Sequence, residues 1–168
     1  LHLDRLEARL PGRGRVSAGG RLTFDKEARF DGAVELAAEQ PATLAGWWRA
    51  EAVGDRLDPL SMTAKLSLAP GRITADDLRL EVAQARARGH LDWSAEKGAR
   101  VGLAADRLEL DQVARLARLF LGREASQRPA SLGLDLDAGQ MVVGGVTAKG
   151  VSIGVAGAAD DVAIYRLA

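Results

Sequence analysis

Along most of this chain apolar and polar residues alternate with a period of two, the pattern of a strand with one buried face. Val16, Ala18, Gly20, Leu22 and Phe24 fall on one side, against Ser17, Arg21, Thr23 and Asp25 on the other. After a charged turn at Asp25-Lys26-Glu27 the pattern resumes with Phe30, Gly32, Val34 and Leu36. Met62, Ala64, Leu66 and Leu68 alternate up to a turn at Pro70-Gly71. Ala85, Ala87, Gly89, Leu91 and Trp93 oppose Arg86, Arg88, His90 and Asp92, and the clusters Leu132–Leu136 and Val151–Val155 complete the set. Such runs predict half-exposed antiparallel strands rather than the continuous apolar strands of a buried parallel sheet. Two segments carry helical spacing instead. Pro41 suits a first helical position ahead of Leu44, Trp47 and Trp48, predicting a helix over 41–50 with those three side chains in the core. Asp111 suits an N-cap ahead of Val113, Leu116, Ala117, Phe120 and Leu121, predicting a second over 111–121.

Four times the apolar residues change phase across two polar ones: at Asp4-Arg5, Asp76-Asp77, Asp106-Arg107 and Asp160-Asp161. In a regular strand that shift would carry the following apolar residues into water. A β-bulge, one extra residue, restores the buried face and adds bend and twist. A loop between two short strands is the other reading. A tight two-residue hairpin fits less well, because Asp-Arg lacks the Gly or Asn that primed turns favour. The recurrence points to repeated hairpin units.

Composition narrows the function classes. The 168 residues hold 23 basic and 23 acidic side chains and no cysteine. Zero net charge argues against a general nucleic-acid binder. Without cysteine there is no disulfide framework, thiolate metal site or cysteine nucleophile. No apolar run approaches the ~18 residues of a membrane span, and no signal-peptide pattern opens the chain. It starts at Leu1 rather than Met, which reads as a piece of something longer, a single β-rich module over 1–168. The apolar set is rich in alanine and poor in aromatic rings, so the interior is built of small and medium side chains.

Several motifs resemble chemistry without its context. Gly150-Val151-Ser152-Ile153-Gly154 matches a nucleophile elbow, but alternation runs straight through Ser152, and both histidines, His2 and His90, lie upstream. Asp135, Asp137 and Gly139 hint at a calcium loop that lacks its third oxygen ligand and its bidentate glutamate. Gly145 to Gly150 has phosphate-loop spacing with Val151 in place of the lysine. The reading is therefore no enzyme, no metal and no cofactor.

The run Phe30 to Leu36, followed by Pro41 to Trp47, resembles the strand-helix pattern of the AsmA family. Ile73 to Leu80 with Ala87 to Trp93 is similar to that family's hairpin, and Ala104 to Asp111 to its strand-to-helix junction. The resemblance covers roughly the whole chain. It implies a mainly β fold: a curved antiparallel sheet with repeated hairpins, an open or taco-like groove, and two short helices. It further implies a periplasmic fragment of a protein held in the inner membrane by a segment outside this stretch, which serves outer-membrane biogenesis and (phospho)lipid transport. Acyl chains are then the expected partner, and Ala85, Ala87, Leu91, Trp93, Val101 and Leu103 the candidate groove residues. Trp93 should lie on the apolar side, anchoring the second helix or bordering the groove. Alternation alone fits a filled two-layer core equally well, so a structural or adhesion repeat stands as the alternative.

Overall fold

Period-two alternation is realised as ten strands of a single open sheet, in a computed structural model that describes residues 1–49, 57–83, 85–111, 115, 131–158 and 161–167. The strands are β1 (His2–Leu10), β2 (Gly14–Phe24), β3 (Ala28–Ala38), β4 (Leu60–Ala69), β5 (Arg72–Val82), β6 (Ala85–Ser94), β7 (Gly98–Glu109), β8 (Ser131–Val143), β9 (Val146–Ala158) and β10 (Asp161–Leu167). Their order across the sheet is their order along the chain, and helix α1 (Pro41–Arg49) lies between β3 and β4. The fold is mainly β, as alternation predicts, and the open sheet fits the curved sheet that the resemblance implies. Its neighbours are antiparallel except for β7 and β8, which run parallel. A parallel pair needs a crossover of a dozen residues or more, and residues 110–130 supply it. Ser131 fixes the start of β8 against the β6–β7 turn by donating its hydroxyl to the Lys97 carbonyl.

Turn chemistry explains the hairpins. Gly144 and Gly145 both take positive φ, 55° and 83°, between the paired Val143 and Val146, as a primed two-residue turn demands. Pro70-Gly71 joins β4 to β5, with Gly71 at φ 68°. Pro41 occupies the start of α1, where its missing N–H costs nothing, and the Gln40 carbonyl accepts from the amides of Thr43 and Leu44. Pro41, Leu44 and Ala45 form the buried stripe of the helix. Trp47 lies beside that stripe rather than on it and is 57% exposed, so it is not the core residue that spacing suggested. The Trp48 side chain lies outside the described residues. Of the second predicted helix, Leu110, Asp111 and Arg115 are helical, and the remainder of 112–121 lies outside the described residues.

Two of the four phase breaks are bulges with a register shift. One lies between Leu3 and Leu6, the other between Ala75 and Leu78. Asp77 adopts φ 50° there, a left-handed conformation that Asp tolerates better than most residues. At Asp106 the apolar face also switches phase, yet β7 and β8 stay in register, because β8 switches at Gly139 on the same level. A Cβ on Gly139 would sit 2.9 Å from the Asp106 carbonyl oxygen, and one on Gly19 the same distance from that of Asp4. Each Asp-Arg break thus faces a glycine on the next strand. The fourth break is a connection: Asp161 pairs with Ala158, so β9 and β10 are separate strands joined through residues 159–160. The bulge reading does not apply there: two separate strands pair across a connection two residues long, the short link that the residue types had disfavoured.

The chain exposes 11338 Å², whereas a compact globule of 17.7 kDa exposes roughly 8,000 Å². A sheet with one layer exposes more surface than such a globule. Where strands approach closely only glycine fits: a Cβ on Gly32 would run into the Gly19 carbonyl and lie 2.8 Å from the Gly20 Cα. Gly32→Ala is expected to cost about 1–3 kcal/mol by overpacking, read as a lower urea midpoint with an unchanged m-value.

Candidate functional site: the apolar face of the sheet

Ladder pairs carry the alternation from strand to strand without a fault. Starting at Leu3, successive partners are Gly20, Gly32, Leu66, Ala75, Leu91, Val101, Leu134 and Val155. One residue along, the rung reads Arg21, Asp31, Ser67, Thr74, Asp92 and Arg100. One face of the sheet is therefore apolar from β1 to β9, and the other carries the charges. At a strand spacing of about 4.8 Å the apolar face runs for roughly 38 Å, longer than the ~30 Å hydrocarbon thickness of a bilayer.

Burial is graded across this face. Along one margin Ala38, Leu60 and Val82 pair with one another and are buried, close in sequence to Pro41 and Leu44 of α1. Leu108 and Met141 continue that margin on β7 and β8, exposed by only 6% and 3%. With Leu136 and Ala138 they form a packed cluster, joined by Leu103, Leu110 and Ile153. Along the opposite margin Leu22, Phe30, Leu68, Ile73, Trp93 and Ala99 are only half-buried, and Leu132 is 37% exposed. The apolar face is buried along one margin as far as Met141, beyond which Val143 and Val146 are exposed, and half-exposed along the other.

All six residues singled out from sequence lie on this face. Leu91 pairs with Val101, Leu103 with Gly89, Ala87 with Ala105, Trp93 with Ala99, and Ala85 with Val82. Ala87 is buried at 7% exposure and the other five are half-buried. Trp93 stands on the open margin, opposite Ile73. Sequence reasoning placed the site on β6 and β7 alone. The open margin extends it to Leu22, Phe30, Leu68, Ile73 and Leu132, whose common alternation was visible but whose shared margin depends on the register of distant strands.

The polar face holds the residues of the apparent motifs. Ser152 points out of β9 and donates to Asp137 Oδ1 at 2.5 Å, and Arg166 donates to the same oxygen at 2.9 Å. These bonds hold the Asp137 carboxyl below the usual range, the Ser152 hydroxyl contributing most. Asp135 accepts from the Tyr165 hydroxyl at 2.6 Å, and this bond pushes the phenol upward. Both aspartates of the calcium-like run are thus engaged by β9 or β10. His90 lies far from Ser152 in the ladder, its ring laid across Gly102, while His2 stands by Asp4 at 3.6 Å on β1. One rung runs His90, Gly102, Asp135 and Gly154, and Tyr165 crosses Gly154 to reach Asp135. Outward-facing glycines between bulky residues were the sequence signal for these crossings. Beside them lies a shallow hollow of ≈ 690 Å³ lined by His90, Asp92, Arg100, Gly133 and Ala156. Asp92 is paired with Arg72 at 3.2 Å. Among the described residues no three acidic or histidine side chains converge as metal ligands.

Compared with protein-family models, curated proteins and solved structures, the chain finds no match.

Because the folded Asp137 is a stronger acid than an unfolded aspartate, its contribution is present above about pH 4 and is lost as the pH falls further. Asp137→Asn should flatten the acid limb of the stability–pH curve below that point, measured by thermal melts from pH 6 to pH 3.

Proposed function

We propose that this chain is an AsmA-like module in which (phospho)lipid acyl chains lie along the apolar face, entering across the margin that carries Phe30 and Trp93. In this reading it belongs to a periplasmic protein, anchored in the inner membrane by another segment, that serves outer-membrane biogenesis. One observation carries the proposal: a single-layer sheet whose apolar face stays free of charge through every ladder pair and is left half-exposed along one margin. An exposed apolar surface of this extent is unfavourable in water unless a ligand or partner covers it. Acyl chains fit because the face offers no polar group for a partner's hydrogen bonds, and its small side chains leave depth. The packed cluster at β7 to β9 favours the second reading, a structural repeat whose face is filled by the protein itself.

Native mass spectrometry separates the two. The lipid reading expects phospholipid adducts on the purified chain, and a blue shift and gain of tryptophan fluorescence with a short-chain phospholipid. Leu103→Glu, on the face, should abolish both, while Ser67→Glu on the polar face leaves them intact. Trp93→Ala should remove most of the spectral change at a stability cost below the ~3–5 kcal/mol of a fully buried ring. No adduct and no spectral response would support the structural repeat.

The same reading holds that the protein is not an ester hydrolase. Ser152 donates to Asp137, a carboxylate that Arg166 also holds and that is therefore a weak base, and among the described residues no histidine is bonded to it, so Ser152→Ala is expected to leave any turnover of a simple ester at background.

A further inference from the structure

Three strands carry a bulge at one common level of the sheet. Besides Asp4-Arg5 on β1 and Asp76-Asp77 on β5, the ladder of β9 and β10 shifts between Ile164 and Arg166, with Tyr165 as the extra residue. Each bulge lies between the same two apolar rungs. One runs from Leu3 through Ala75 to Ile164, and the next from Leu6 through Leu78 to Leu167. On or between these rungs five of the remaining strands place a glycine: Gly19 on β2, Gly32 on β3, Gly89 on β6, Gly102 on β7 and Gly154 on β9. Bulges and strand glycines are the two devices that let a strand bend sharply. Only β4 and β8 cross the line without either. The bulge residues stand on the polar face: Asp77 reaches Lys65 at 2.5 Å, while Tyr165 and Arg166 reach Asp135 and Asp137. Two residues there, where a regular strand has one, lengthen that face, so the sheet folds toward its apolar side.

The ties Lys65–Asp77 and Tyr165–Asp135 run along this line, not across it. Among the described residues no ion pair joins one side of the line to the other. The two sides are held differently. On one lie the buried Ala38, Leu60 and Val82 and the packed cluster around Leu108 and Met141. On the other Leu22, Phe30, Leu68, Ile73 and Trp93 are half-buried. We propose that the line is a hinge, about which the wall carrying Phe30 and Trp93 swings in to cover an acyl chain and out to release it. This rests on the acyl-chain reading above and adds how that site closes. With a chain between the walls, closing removes apolar surface from water on both, so the ligand favours the closed form and shifts the population toward it.

Deleting Asp77 separates hinge from face. With one residue fewer, Ile73, Ala75 and Leu78 alternate without a break, so the bulge goes while the apolar face stays intact. The chain has no cysteine, so spin labels can be placed at R86C on β6 and E96C in the β6–β7 turn, on either side of Gly89-His90. Ten strand residues at about 3.3 Å each put the labels roughly 33 Å apart, within reach of pulsed electron–electron resonance. The distance distribution should be broad in the free chain, then shift by several ångströms and narrow with a short-chain phospholipid. The pair T23C/E96C, both on the moving wall, should not change. Deletion of Asp77 should narrow the free distribution and lower phospholipid affinity ~10-fold, as loss of a tighter-binding closed state requires. Circular dichroism checks that the sheet persists. Phospholipid adducts with a distribution that moves neither with lipid nor on deletion overturn the hinge and leave the lipid reading standing. A broad distribution that deletion narrows, without any adduct, upholds the hinge and fails the acyl-chain reading. Should the deletion misfold, the lipid-induced shift in the full chain decides alone.

Discussion

Among the described residues the strands form one sheet with no second sheet to receive an apolar side chain that falls on the wrong side, so every strand must stay in phase with all the others. This constraint governs the chain from Leu3 to Val155. Where the polypeptide slips phase, at Asp4-Arg5 or Asp76-Asp77, an extra residue in one strand returns the following leucines to the shared face. Where two neighbouring strands meet the same difficulty together, around Asp106 and Gly139, both slip at one level and the ladder keeps its register. Bends that look like local irregularities are what permit a continuous face.

Most of that architecture was legible in the sequence, because a half-exposed sheet writes its two faces directly into alternate positions. The strands around Val16, Phe30, Met62, Ala85 and Val151 stand where alternation put them, and the turn at Pro70-Gly71 stands where proline and glycine put it. The parallel meeting of β7 and β8 was not legible. It depends on where the segment after Leu110 returns the chain, and no pairwise pattern in either strand encodes that. Trp47 was misread for a related reason: helical spacing marks a stripe, but Pro41, Leu44 and Ala45 occupy the buried side of so short a helix, which leaves the indole at its flank.

The candidate site was legible in kind and not in extent. Ala87, Leu91, Trp93, Val101 and Leu103 announce an apolar face on two strands. That Trp93 on β6 shares an open margin with Phe30 on β3, on the same side of the ladder, follows from accumulated register. The outward-facing residues carried a quieter signal. Gly102 and Gly154 interrupt rows of charged side chains, and each leaves room for the ring of a neighbour, His90 or Tyr165, to lie flat across the backbone.

The single parallel junction has a consequence for symmetry. In a ten-stranded sheet of purely antiparallel neighbours, the first and last strands point in opposite directions, and identical copies could be laid edge to edge by translation alone, antiparallel at every seam. With β7 and β8 aligned, β1 and β10 point the same way. Copies that keep their apolar faces on one side then meet parallel when unlike edges touch, and antiparallel only when like edges touch. Crossing between two neighbouring strands thus decides whether translation or rotation could lay two copies of the sheet side by side in antiparallel pairing.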